Sequence, residues 1–324
     1  MVNIWKFQLL LRAQRGHRSD SSMKIIAWNC RGLARPAARR MLRDLHTHKP
    51  DIIFLCEIKT AHTDKISSIL LNANLSCSDF VSAFNKAGGL CLAWNPSITV
   101  NVVLKSPWLI NALIFLNADP WPWQFTGVHC PAVTSLKPLF WQSISDICSS
   151  FDEPWLIMGD FNAVLSQDEK RGGKPFASAS RNALGNELDV CHLIDLGFSG
   201  YRFTWTNKRP GLANIQSRLG RGVANAEWCL LYPNALILHL PAITSDHSPL
   251  LLNTHPECMN KPRPFFFEDM WLRDFSCENL IADTWLSNVS GNPSAKLHKL
   301  LKILRGDSEN GTGGLSSGVT IKST

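Results

Sequence analysis

The sequence predicts an α/β fold, a four-layer sandwich of two mixed β-sheets packed face to face with helices on the outer faces. Three observations carry this expectation. Short apolar runs alternate with helical stretches from Lys24 to about Asn253. Most of the runs are continuously apolar, the pattern of strands covered on both faces. The chain has 324 residues, 45% of them hydrophobic and 18% charged, which is enough apolar matter for a sizeable core and too little charge for general disorder.

Taken in order, the strand candidates are Lys24–Trp28, Asp51–Cys56, Leu90–Trp94, Thr99–Leu104, Leu109–Leu116, Gln124–Val128, Trp155–Met158, Phe203–Trp205, Ala235–Leu240 and Leu250–Leu252. The helix candidates are Arg39–His46, Asp64–Asn72, Leu139–Ser149 and Arg181–Leu193. The first places Met41, Leu42 and Leu45 on one side and its arginines on the other. Pro36 precedes that helix and Gly197 follows the last one, both natural punctuation. This mixed order fits two stacked sheets with helices outside. No internal repeat is present.

Residues 1–22 read as an extension before a domain spanning 23–253, because SSMKIIAW resembles a domain start in its own right. The extension is Arg-rich and acid-poor, as a transit peptide is. Residues 254–289 have a linker-like character, with KPRPFFFEDMW leading into an amphipathic stretch near Ser276–Leu286. The remainder, 290–324, ends in a Gly/Ser/Thr-rich tail expected to stay disordered.

The formal net charge is +7. From Met1 to Lys49 the only acids are Asp20 and Asp44, set against Lys6, Arg12, Arg15, Arg18, Lys24, Arg31, Arg35, Arg39, Arg40, Arg43 and Lys49. Such a surface suits a polyanion such as DNA, or is simply a solvated face with a leader. The ten cysteines contain no C-x-x-C spacing, and several lie inside apolar runs, as Cys56 does in IIFLC and Cys91 in LCLAW. They read as small buried hydrophobes of a reducing, intracellular compartment, without a structural zinc or a disulfide framework. No uncharged apolar run of about twenty residues exists, so no membrane partner is expected.

Four polar signals stand at strand ends, where α/β scaffolds present functional groups. WNCRG puts Asn29 after KIIAW, LCEIK puts Glu57 after DIIFL, GDFN puts Asp160 and Asn162 after PWLIM, and SDHSP puts Asp246 and His247 before the last strand. Each alone is weak: a Glu after a strand is usually solvated, and GDFN can be a simple turn. Together they supply hard oxygen ligands, amides and one imidazole, the set that metal-assisted phosphate-ester hydrolysis needs.

WNCRG, LCEIKT, GDFNAV, LGFSGYRFTWTN and SDHSPL resemble the endonuclease/exonuclease/phosphatase superfamily over roughly Met23 to Asn253. The likeness is greatest to the endonuclease domain that opens the second open reading frame of plant LINE-type (non-LTR) retrotransposons. The following RPFFFEDMWLRDFSCENLI resembles the linker to their reverse transcriptase. The resemblance implies a Mg2+ cofactor (or Mn2+ in its place), DNA as partner and nuclear action. Glu57 would be a principal metal ligand, with Asn29 nearby and Asp246 contributing. Asp160 would align or deprotonate the attacking water, Asn162 would hold a phosphate oxygen, and His247 would bond the scissile phosphate. Trp205 and Arg31 are candidate DNA contacts, although an aromatic in a strand is more often core.

Two positions depart from the family pattern. Where members carry an Asp in R-L-D-R, which accepts a hydrogen bond from the catalytic histidine, this chain reads SRLGR and has Gly220. Without that acceptor His247 lacks the partner that fixes its tautomer and orientation. Loss of the equivalent support in a Ser-His-Asp triad costs about four powers of ten in rate. Where members have a phosphate-contacting tyrosine, FTGVHCPAV has His129. Each change is one base in the genetic code, so the pair suggests a decaying element copy. Three functions follow as expectations: an impaired Mg-dependent nicking endonuclease, a folded but inactive remnant that at most binds nucleic acid, or a phosphomonoesterase of the same fold.

Overall fold

A computed structural model of the chain describes residues 22–60, 63–71, 74–83, 88–116, 121–151, 153–175 and 178–256. All lie within one compact unit, Met1–Glu257. Residues 1–21 of the extension 1–22, residues 257–289 of the linker-like segment 254–289 with its amphipathic stretch near Ser276–Leu286, and the tail 290–324 fall outside the described residues.

The expected sandwich is present. Its long strands are β1 (Lys24–Asn29), β2 (Ile52–Cys56), β3 (Cys77–Val81), β4 (Leu90–Trp94), β5 (Thr99–Lys105), β6 (Leu109–Phe115), β7 (Trp123–His129) and β8 (Trp155–Asp160). Shorter pieces follow: β9 (Lys170–Arg171), β10 (Ile194–Asp195), β11 (Ser199–Gly200), β12 (Trp205–Thr206), β13 (Gln216–Ser217), β14 (Gly220–Ala224), β15 (Leu236–His239) and β16 (Leu250–Asn253). The helices are α1 (Pro36–His46), α2 (Thr63–Leu71), α3 (Lys137–Ser150), α4 (Ser178–Val190) and α5 (Ala226–Leu231). One sheet runs β11-β15-β16-β1-β2-β4-β3, the second β10-β14-β8-β7-β6-β5, and a third, small one β12-β13-β9.

The continuous apolar strands have two buried faces because each is covered twice. In β1 and β2, Ile25, Ala27, Ile52 and Phe54 point inward and meet Ala112, Phe125, Leu156 and Met158 of the facing sheet. The alternate residues Ile26, Trp28, Ile53 and Leu55 point outward, against Met41, Leu42 and Leu45 of α1 and Ile66 and Leu70 of α2. The outer face of the second sheet, with Leu109, Val128 and Ile157, is covered by Phe140, Trp141 and Ile144 of α3 and Leu184 and Leu188 of α4. Each fully buried large side chain contributes about 1.5–3 kcal/mol. Helix α1 starts at Pro36, where a missing N–H costs nothing, and its exposed side carries Arg39, Arg40 and Arg43.

Three differences from the sequence expectation have physical causes. The strand expected at Phe203–Trp205 is Trp205–Thr206, paired with β13 in the small sheet. Strand β14, reading GRGVA, has no apolar run and was not expected, yet all five residues are buried. Helix α5 is only six residues long and is capped by the Asn225 side chain, which accepts the Trp228 N–H. No described helix is long and apolar enough to cross a membrane.

The sheets approach closely where β7 crosses β2. A Cβ built on Gly127 would lie 2.2 Å from Cδ2 of the buried Phe54 ring. Gly127→Ala is therefore expected to lower stability by about 2–3 kcal/mol through overpacking. Urea unfolding measures it, and an unchanged midpoint would contradict this packing.

Candidate active site

Strands β1 and β2 run parallel, and their ends are stitched together beyond the strands. Cys30 N–H donates to Cys56 O at 3.1 Å, Gly32 N–H to Glu57 O at 2.7 Å and Leu33 N–H to Ile58 O at 3.0 Å. The Glu57 loop is held from its other side by Ile58 and Lys59, whose N–H groups donate to Gly89 O and Gly88 O. This double anchoring keeps Arg31, Glu57 and Lys59 in left-handed backbone conformations, with φ of 51°, 53° and 54°. Non-glycine residues adopt that region rarely, and such positions cluster at functional sites.

In the second sheet Asp160 ends β8, and its register partners are His129 of β7 and Gly220 of β14. Its Oδ1 accepts the N–H of Asn162 at 3.0 Å, and Asn162 itself has φ 46°. The Asn162 amide donates to Cys130 O at 2.7 Å. The bridge between sheets is Asn29: its Nδ2 donates to Asp160 Oδ2 at 2.9 Å and lies 3.3 Å from Glu57 Oε1.

The loop before β16 completes the cluster. His247 is buried, its carbonyl accepts Trp28 Nε1–H at 3.2 Å, and its Nδ1 lies 3.5 Å from Asp160 Oδ2. Histidine 247 thus has a carboxylate close by despite Gly220, at a separation too long for a good hydrogen bond. The Ser245 hydroxyl donates to Asn29 O at 2.9 Å and accepts the His247 N–H at 3.2 Å. Trp205 is not core: half-buried, it donates Nε1–H to Asp246 Oδ2 at 3.1 Å, and its ring centroid stands 6.5 Å from that of His247. Arg31 spans the cluster, with Nη1 3.3 Å from Glu57 Oε1 and Nη2 3.1 Å from Asp246 Oδ2.

The structure therefore brings Asn29, Arg31, Glu57, His129, Asp160, Asn162, Trp205, Gly220, Asp246 and His247 to one end of the sandwich. Burial alone would raise the Glu57 carboxyl, but hydrogen bonds from His129 and Lys59, with the charges of His129 and Arg31, outweigh it and hold it well below the usual carboxylate range. Arg31 is shifted up: burial opposes its charge, and Glu57 and Asp246 overcome that opposition. The thiols of Cys30 and Cys130 are pushed up to about 12, chiefly by burial, so they remain protonated and supply neither a nucleophile nor a thiolate ligand.

Among the described residues no three His, Cys, Asp or Glu side chains form a ready cage for a metal ion. Magnesium does not need one, since it is commonly held by one or two carboxylates, with waters and substrate oxygens filling the rest. The Glu57 carboxylate and Asp246, bridged by Arg31, are hard-oxygen donors of that kind, whereas Asn29 turns its Nδ2 toward Glu57 and its Oδ1 toward the Arg31 N–H.

The profile of the Endonuclease/Exonuclease/phosphatase family matches residues 26–214. The chain belongs to that family. No curated protein sequence matches it. Among solved structures it is similar to the AP endonuclease LMAP from Leishmania major, with TM-score 0.56 and 16% identity over 72% of this chain and 88% of that one. The endonuclease domain of TRAS1, a telomere-specific non-LTR retrotransposon, gives TM-score 0.53 and 14% identity over 71% of this chain and 97% of its own. The 3' phosphatase NExo (D146N) from Neisseria, solved bound to a product DNA hairpin, gives 0.53 and 16% over 71% and 98%. At these identities the likeness shows the shared fold.

Several residues of this family member's site escaped sequence reasoning. Lys59 stands two residues after Glu57 and is bonded to it, and Ser245 sits beside Asp246; both lie inside motifs already singled out. Less legible is the support beneath Gly220. Arg218 and the fully buried Arg221 flank it and share two carboxylates: Arg218 reaches Glu169 at 2.8 Å and Asp195 at 2.7 Å, and Arg221 reaches them at 2.7 Å and 2.6 Å. Burial pushes Glu169 up, but the charges and hydrogen bonds of these arginines prevail and leave it lowered.

Glu169→Gln is expected to cost about 3 kcal/mol at pH 7, since it leaves arginine charge buried without its partner. Because the folded carboxyl is the depressed one, the wild-type advantage is complete above the unfolded value of about 4.3 and fades as pH falls through the lower folded value. Urea unfolding of both proteins across the acid range checks this, and a pH-independent difference would contradict it.

Proposed function

We propose that the chain is a divalent-metal-dependent phosphodiesterase that nicks DNA, of retroelement origin and nearest in kind to plant LINE-type endonuclease domains, with its activity reduced by Gly220 and His129. The observation that carries this reading is the Asn29 bridge, which brings the carboxylates of Glu57 and Asp160, one from each sheet, to a single amide. The family membership, the likeness in fold to two nucleases and a 3' phosphatase, and the basic character of 1–49 support it. Nuclear action follows if the protein serves as a retroelement endonuclease.

In this reading Glu57, with Asn29 and Asp246, would hold Mg2+ or Mn2+. When bound, the ion supplies charge stabilisation at a phosphoryl oxygen. Asp160 is fixed by Asn29 and by the Asn162 N–H, so one carboxylate is aimed without rotational freedom. Such a group can orient a water and accept its proton. His247 and Asn162 flank it, on the side where a phosphate oxygen needs donors. Trp205, tied to Asp246, offers a ring face beside the substrate path.

A second reading is favoured by the same two departures: a folded remnant that at most binds nucleic acid. His129 Nε2 lies 3.5 Å from Glu57 Oε1, so it stands against a carboxylate on the metal side of the site. A Cβ on Gly220 would lie 3.3 Å from Leu250 Cδ1, so an Asp fits there only if Leu250 yields by a few tenths of an ångström. A phosphomonoesterase of the same fold is the lesser alternative, and the linker-like 254–289 argues against it.

With Mg2+ the unaltered chain is expected to nick supercoiled plasmid weakly or not at all. Combining Gly220→Asp with His129→Tyr should raise the rate by about two powers of ten or more. Strong nicking by the unaltered chain, abolished by Glu57→Ala, would sink the remnant reading. A double variant that folds and stays inert would overturn the assignment of the damage.

A further inference from the structure

Two cationic side chains and one imidazole converge on one carboxylate. Lys59 Nζ lies 2.8 Å from Glu57 Oε2, while Arg31 Nη1 and His129 Nε2 lie 3.3 Å and 3.5 Å from Oε1. The other guanidinium nitrogen of Arg31 extends this pairing to Asp246 at 3.1 Å. Arg31 and Lys59 thus already balance the charges of Glu57 and Asp246. A divalent cation joining these carboxylates would face two like charges at contact distance, which is strongly unfavourable in a partly buried site.

Both side chains lie on the solvent side of the carboxylate. Arg31 is 42% and Lys59 34% exposed, against 12% for Glu57, so the cations lie toward solvent and the carboxylate lies beneath them. Their main chains are fixed by the hydrogen bonds of the Gly32 and Lys59 N–H groups, so only the long stems need to swing. Arg31 already reaches Asp246, next in sequence to His247, on which the proposed function puts phosphate.

We propose that Arg31 and Lys59 are displaceable counterions of the metal-binding carboxylates, which leave Glu57 and Asp246 as a divalent cation enters and carry their charge to the nucleic-acid phosphate. The proposal rests on the metal site of the preceding section. Its consequence is coupling: phosphate draws the two cations off the carboxylates and tightens the metal, and by linkage metal tightens nucleic acid.

Calorimetric titration of the full chain with Mn2+ tests it. Lys59→Met and Arg31→Met should each bind Mn2+ about tenfold more tightly than the unaltered protein, the scale of one partly buried ion pair. Lys59→Arg keeps the charge and should leave the affinity unchanged. With Ca2+ present, both Met variants should bind a fluorescent DNA duplex about fivefold more weakly, as expected for lost phosphate contacts. Mn2+ affinity that does not rise in either Met variant, or that rises equally in Lys59→Arg, overturns the proposal. Glu57→Gln separates the two readings: it should lose Mn2+ binding, and unaltered affinity there would place the cation elsewhere and remove the metal site itself.

Discussion

The hydrogen bond from Asn29 to Asp160 is the contact on which the site depends. It joins the end of β1 in one sheet to the end of β8 in the other at 2.9 Å. Sheets packed face to face ordinarily stand about 10 Å apart, so a short amide can span them only where the layers converge. Gly127, which lets the Phe54 ring lie directly on the backbone of β7, permits that approach. Everything else at the site is arranged around this bridge, with Glu57 beside it, His247 beyond Asp160, and Arg31 closing over the carboxylates.

The parts legible in the sequence were those whose cause is local. A strand covered on both faces must be apolar throughout, so KIIAW, IIFLC and PWLIM announced β1, β2 and β8, and the polar residue ending each run announced Asn29, Glu57 and Asp160. Amphipathic spacing likewise announced α1. Strand β14 could not be found this way. Its Gly222 lets Ile237 of the facing sheet press in, and its Arg221 is tolerated at full burial because Glu169 and Asp195, remote in sequence, neutralise it. Nothing within GRGVA itself signals either fact.

Trp205 shows the same limit at the level of one side chain. An aromatic in a predicted strand is most simply core, and only the fold shows its indole N–H meeting Asp246. Gly220 shows the converse. The sequence marks it as a departure from the family pattern, but only the structure shows Asp160 as the carboxylate nearest His247 Nδ1. Under the proposed function one carboxylate would both aim a water and stand as the imidazole's neighbour, at 3.5 Å. An Asp at position 220 would divide those tasks, which is the physical ground for the proposal that the phosphate side is weakened.

The proposed divalent-cation site is built on Glu57 from one sheet and lies beside the Asn29–Asp160 bridge to the other. Anomalous scattering from a crystal of the unaltered protein soaked in Mn2+ tests it most directly. A single strong peak is expected about 2.1 Å from a Glu57 carboxylate oxygen, with Arg31 and Lys59 turned away from it. A peak elsewhere, or none at saturating Mn2+, would contradict it.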